Sequence, residues 1–408
     1  MYITAMTHRD ALFDLSLRWL NDDFKPEDPR TVSRIFLYES IVARCVVDRM
    51  TAFLGKLFDS PLHAERLRQK HLLRERLIQY LPHQSSRTRQ LIAGFRENPE
   101  YFFPRLPIDA VLLTTPDGRL AAIGRIKRLS RVAEKVSHRL VAALLQEIRA
   151  EAQLIAEHRA AAAGVPLAQL ISSEEVMGRD FAAAETAVAG LFRHRNVRIA
   201  REALGINDLV GFKIIAAPDV LERVPALLEQ EPYFTVVETE KHSGDYNAVN
   251  LLVDVVLPAP DTLAVLQQGF DWSIAERRGL DPGRSQAGFA DYLARGARVV
   301  RLEVILTTYD ELMESELGRS MHELRVLRLR QRQVYSGLLA QNAGYLVEYL
   351  LTLAVAPTSH LPELPVKMYG RYLPETIAAA KWALFGNEIE SGLLTSFCLN
   401  AAPGNSSL

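Results

Sequence analysis

Through the first hundred residues the hydrophobic positions recur at steps of three and four. Across residues 31–57, Ile35, Ile41, Val42, Cys45, Val46, Met50, Phe53, Leu54 and Leu57 fall on one helix face. A second helical pattern covers residues 62–81, with Leu67, Leu73, Leu77 and Leu81 inward and many Arg and Lys on a solvated outer face. The three prolines of N-P-E-Y-F-F-P-R-L-P, residues 98–107, end that regime. The period then becomes two. Residues 110–114 and 120–126, joined by the turn P-D-G at Pro116, read as a β-hairpin.

Long helical stretches follow at 129–163 and 174–194, and strands return at 208–216, 234–240, 246–257 and 298–308. Helices are expected between them at 220–229, 260–278 and 286–296. From Asp310 the chain is helical again, with a proline-containing break at 357–365 and a last helix between Pro374 and Gly386. The tail A-P-G-N-S-S-L has no pattern and is expected to be disordered. Strands interleaved with helices predict an α+β chain with a mixed sheet at its core. The expected organisation is a helical region over 1–105, a sheet domain over 106–318 with helical insertions at about 141–200 and 258–297, and a helical region over 319–408.

Composition narrows the function classes. A chain of 408 residues with 48% hydrophobic and 24% charged residues is of ordinary globular type. A net charge of −1 supplies no global field toward nucleic acid or membrane, so such attraction must come from a local patch. Cys45 and Cys398 have no metal-ligand spacing and suggest a reducing compartment. No signal-peptide pattern opens the chain and no apolar run is long enough for a bilayer, so a cytoplasmic protein is expected, with a homo-oligomer possible.

Candidate chemistry lies where strands carry polar residues. In R-V-V-R-L-E-V-I-L-T-T-Y, Val300, Leu302, Val304 and Leu306 share one face, which leaves Glu303 with Arg301, Ile305 and Thr307 on the other. A wet edge strand and a site on a sheet face both explain it. Asp208 opens the strand N-D-L-V-G-F-K-I-I, either as a turn acceptor or as a second carboxylate beside Glu303. Two neighbouring carboxylates suit magnesium, which takes one or two and leaves its other positions to water and phosphate. Tyr246, Ala248 and Asn250 share a face after the flexible Gly244. Finally, Arg128, Arg131, Lys135 and Arg139 form a basic stripe beside the docking stripe Leu129, Val132, Val136 and Leu140. Such a stripe is either solvent-facing or a phosphate clamp.

The order of these elements resembles the synthetase domain of the RelA/SpoT family, nucleotidyltransferase-like enzymes that make guanosine tetra- and pentaphosphate. The family's G-R-x-K with a further Lys resembles Gly124, Arg125, Lys127 and Lys135. Its D-L-x-G/A-x-R resembles D-L-V-G-F-K, Asp208 to Lys213, and its G-Y-x-x-x-H resembles Tyr246 with Asn250. Its E-x-Q-x-R-T with a trailing A-E-x-G and His resembles Glu303 and Thr308 followed by S-E-L-G-R-S-M-H, Ser315 to His322. The resemblance spans about half the chain.

It implies a magnesium-dependent transfer of pyrophosphate from ATP to GDP or GTP, or, as in some toxin relatives, to the 3′ end of tRNA. Asp208 and Glu303 would hold Mg2+, with Glu303 also the base. Arg125, Lys127 and Lys135 would grip the ATP triphosphate, Tyr246 would stack on the acceptor base, and Lys213 and Asn250 would complete the nucleotide site. Lys241, Glu316 and His322 would be accessory. The chain departs from the pattern at Ile305 for Gln, Thr307 for Arg, Asn250 for His and Lys213 for Arg. These losses leave open a second reading, a nucleotide-binding interaction module that no longer catalyses, and a third, an α/β scaffold with coincidental motifs.

Overall fold

The computed structural model describes residues 1–80, 85–194, 199–244, 247–331, 337–354 and 360–385. Nine strands occur among them, numbered in chain order: β1 (Tyr2–Ile3), β2 (His63–Gln69), β3 (Pro107–Thr114), β4 (Leu120–Ile126), β5 (Gly205–Ile206), β6 (Val210–Ile215), β7 (Phe234–His242), β8 (Ala248–Val256) and β9 (Val299–Thr307). Seven of them form one mixed sheet in the order β2-β3-β4-β6-β9-β8-β7. All neighbours are antiparallel except β6 and β9. The short strands β1 and β5 pair in parallel apart from this sheet. The expected α+β class with a mixed sheet is therefore what the chain adopts.

Alternation sorts the sheet into two unlike faces. Ala122, Phe212, Ile214, Leu251, Val253, Leu302, Val304 and Leu306 point into the larger core, where the helices Asp28–Leu57, Leu129–Ala162 and Gly337–Leu353 pack. The docking stripe Leu129, Val132, Val136 and Leu140 is buried there as its spacing predicts. The other face is covered at one end only. Leu112, Ile123 and Ile215 share a smaller core with residues of the helices Lys70–Leu77, Ser86–Glu97 and Tyr309–Leu317. Toward β9, β8 and β7, Glu303, Ile305, Asn250 and Leu252 are only half-buried.

Three expectations about elements change. Residues 62–81 are not one helix: His63–Gln69 is the edge strand β2, and a helix runs only over Lys70–Leu77. Backbone pairing with β3 offsets the weak strand character of H-A-E-R-L-R-Q. Nor are the charges of this segment all solvated, since Lys70 and Arg74 are 1% and 0% exposed. The helices expected at 260–278 and 286–296 are broken into Pro260–Leu266, Gln267–Gly269, Trp272–Arg278, Pro282–Ala287 and Phe289–Arg295. Gly269 and Gly279 interrupt them, and Gly279 adopts φ +64°, where a side chain is strained. Leu81, Cys398, Gly386 and the tail lie outside the described residues. Among the described residues no helix is long and apolar enough to cross a membrane.

Candidate active site

Strand register builds the site. One row across the half-open face reads Arg125, Gly211, Glu303 and Leu252 on β4, β6, β9 and β8, and the next reads Ile123, Lys213, Ile305 and Asn250. Residues paired in register share a face, so Arg125, Lys213, Glu303 and Asn250 stand together although 178 positions separate the first from the third. Glycine spaces the row: at Gly211 nothing stands between Arg125 and Glu303. Gly124 serves the opposite face, because a Cβ there would meet the Phe212 ring at 2.9 Å.

Asp208 sits in the turn before β6. The pairing of β1 with β5 holds this turn, and Thr4 Oγ1 lies 2.7 Å from Oδ1 of the adjacent Asn207. Lys127, just after β4, and Lys135, on the second turn of the Leu129–Ala162 helix, both donate to Asp208 Oδ2. Lys127 Nζ also donates to the Asp208 carbonyl at 2.7 Å. Burial alone would raise the Asp208 pKa, but Lys127 and Lys135 outweigh it and hold the carboxyl down at about 2. Asp208 Oδ1 is buried and has no hydrogen-bond partner.

Glu303 behaves oppositely. Burial first, and then the charge of Asp208, push its pKa up, against the pull of Lys127, Lys135 and Lys213. Two carboxylates and two lysines thus act on one another at one point of the open face. The repulsion expected between Asp208 and Glu303 is present, but it falls on Glu303, because both lysines bond Asp208.

Beside this point lies a cluster of charge centred on the buried Glu316. Glu316 is 1% exposed and takes Arg125 Nη2 at 2.9 Å, Lys213 Nζ at 3.8 Å and Lys70 Nζ. Arg74 donates to the Glu316 carbonyl at 2.9 Å and reaches Glu323 at 3.1 Å, and Lys70 lies 3.3 Å from Glu323. Burial tends to raise the Glu316 pKa, but the four cations prevail and set it well below the usual range. Loss of hydration lowers Lys213 to about 8 against the pull of Glu316, and Ser315 Oγ accepts from it at 3.0 Å. His322 opens the next helix with part of its surface exposed; lost hydration and the nearby Lys70 charge push its pKa down to about 4.

Of the residues singled out by sequence, Asp208, Glu303, Lys127 and Lys135 meet on the open face, while Arg125, Lys213, Glu316 and His322 belong to the adjoining cluster. Arg125 pairs with Glu316, whereas the two lysines expected to share its role bond Asp208. Lys241 pairs in register with Val249, whose side chain packs on the larger core, so it stands on the other face of the sheet from Asn250. Tyr246 lies outside the described residues. Sequence reading missed His242, whose Nε2 is 2.9 Å from Asn250 Nδ2, and missed Lys70 and Arg74. His242 lies four residues before Tyr246 and pairs with Ala248, which alternation puts on the face of Asn250.

Among the described residues no three His, Cys, Asp or Glu converge as a metal site. Magnesium does not need three when phosphate and water complete its shell, and the buried free oxygen of Asp208 with the Glu303 carboxylate fits that demand. No family model, no curated protein and no solved structure matches this chain.

Proposed function

We propose that the open sheet face is a magnesium-dependent pyrophosphoryl-transfer site using ATP, on a nucleotidyltransferase-like core of the kind the motifs resemble. The observation that carries the reading is the meeting of Lys127 and Lys135 with Asp208, more than seventy positions downstream, beside Glu303. In the reaction a hydroxyl oxygen of the acceptor bonds to the β-phosphorus of ATP, the bridge between the α- and β-phosphates breaks, and AMP departs. Such a transfer calls for cations on the spreading phosphate charge and an acceptor held in line. Asp208 Oδ1 and Glu303 would hold the magnesium ion, which neutralises phosphate charge. Lys127 and Lys135 supply two ammonium groups at the same point. Glu303, on the same face, would also take the hydroxyl proton.

The acceptor is a guanine nucleotide or the 3′ end of tRNA. Incubation with ATP labelled in its β- or γ-phosphate, magnesium and either GDP, GTP or bulk tRNA identifies it by which molecule takes up label. Uptake by tRNA should fall steeply with salt, because several phosphate contacts release counterions. A small guanine nucleotide should show a shallow dependence. No label on any of the three would remove the reading and leave the binding module, which Ile305 and Asn250 favour by taking the places of catalytic polar groups in the resembling family.

A further inference from the structure

A cavity of about 990 Å3 opens on the other side of the sheet, and its lining shares no residue with the Asp208–Glu303 face. Its walls are the helix Arg9–Leu20, the first turns of Asp28–Leu57, and the helices Pro282–Ala287 and Phe289–Arg295. Space between packed helices is ordinarily filled by apolar side chains. Here the helices turn charge and aromatic rings toward one another.

Tyr38 and Tyr292 are 2% and 6% exposed, with ring centroids 4.6 Å apart. Their hydroxyls are engaged: Tyr38 donates to the Ser285 carbonyl and Tyr292 to Glu39 Oε1, each at 2.8 Å. His8 stacks on Tyr292 at 3.7 Å. These rings are fixed, and the half-exposed His8, backed by the buried tyrosines, is the aromatic floor of the cavity. Its rim carries Arg30, Arg34 and Arg284, all exposed, whose guanidinium groups make no ion pair among the described residues. Two rim carboxylates are already engaged. Asp10 pairs with Arg201 at 2.6 Å, and Asp281 accepts the Arg284 amide at 2.7 Å. Asp14 and Asp291 remain.

We infer that this cavity is a second binding site, for a nucleoside phosphate. Three free guanidinium groups suit a phosphate, which they grip through paired N–H donors. The His8 ring, backed by Tyr292, suits a planar base. Asp14 and Asp291 accept from ribose hydroxyls or base amino groups. A bare anion would leave the aromatic floor unused, and an apolar ligand would leave three arginines unmatched. The cavity has the size of small-molecule sites.

Calorimetric titration of the full chain with GMP and with AMP, in EDTA so that metal-dependent binding elsewhere is silent, tests the site. Saturable binding of at least one is expected, weakened about tenfold or more by Arg34→Glu and by Arg284→Glu and unchanged by Lys127→Ala. Both arginines are exposed and unpaired, so the folded state should survive their replacement, with thermal unfolding as the control. Absence of binding by both nucleotides would overturn the inference. So would binding that follows Lys127→Ala and ignores the arginines, or equal affinity for inorganic phosphate, which would refute the aromatic platform. None of these outcomes depends on the pyrophosphoryl-transfer reading.

Discussion

Two clusters built from the same residue types adjoin on one sheet face. Around Glu316, the cations Lys70, Arg74 and Lys213 keep 2%, 0% and 15% of their side-chain surface in solvent, and Arg125, at 29%, closes the cluster toward the open face. Around Asp208, Lys127 and Lys135 keep 29% and 40% of their side-chain surface in solvent, and Glu303 has no ion pair among the described residues. Charges that are ion-paired and buried hold helices to a sheet. Charges that are half-paired and reachable can rearrange around a ligand. Cover, rather than composition, separates a structural cluster from a reactive one.

The largest expected effect is on the sealed side. Glu316→Ala leaves Lys70 and Arg74 buried without their main partner and should cost about 3–5 kcal/mol of stability, read from denaturant unfolding. A loss under 1 kcal/mol would show that the cluster is not sealed, and would dissolve the contrast.

On the open side the two carboxylates should respond with opposite sign. The folded-state pKa of Asp208 is depressed to about 2, so its stabilisation is full above the unfolded value near 4 and disappears as pH falls through 2. Asp208→Asn should therefore cost about 2 kcal/mol at neutral pH. The Glu303 pKa is raised, so its charge opposes folding at neutral pH, and Glu303→Gln should leave stability equal or higher. Equal losses in both variants would mean that the lysines are shared evenly between the carboxylates.

Arg125 and the lysines should also part. Lys127→Ala and Lys135→Ala should each weaken ATP binding by about 1–3 kcal/mol, whereas Arg125→Ala should lower stability and leave ATP affinity nearly unchanged. Equal weakening by all three would return Arg125 to the phosphate clamp. A smaller effect separates Gly124 from its neighbours. Gly124→Ala must push back the Phe212 ring, for about 1–3 kcal/mol of stability with no loss of ATP affinity in the protein that folds.

How much of this could be read from the chain follows from where each signal is written. Period two placed β4, β6, β7, β8 and β9 within a residue or two and β3 within three, because both neighbours and face alternate locally. The same alternation puts Glu303 opposite its apolar neighbours and so marks the open face. The edge strand β2 was not legible, since its stability lies in pairing with β3 and only Leu67 of its seven residues is buried. Lys70 and Arg74 read as solvated because their partners, Glu316 and Glu323, are more than 240 residues downstream. Arg125 reads like Lys127 in sequence. Only the folded chain shows that it pairs with Glu316 while Lys127 turns to Asp208.

The most direct measurement identifies what ATP becomes. With magnesium and an accepting guanine nucleotide or tRNA, pyrophosphoryl transfer releases AMP in equal amount to labelled acceptor, and Glu303→Gln should reduce it on the order of a hundredfold or more while remaining folded. Release of ADP instead, or AMP release that Glu303→Gln leaves untouched, would contradict the account.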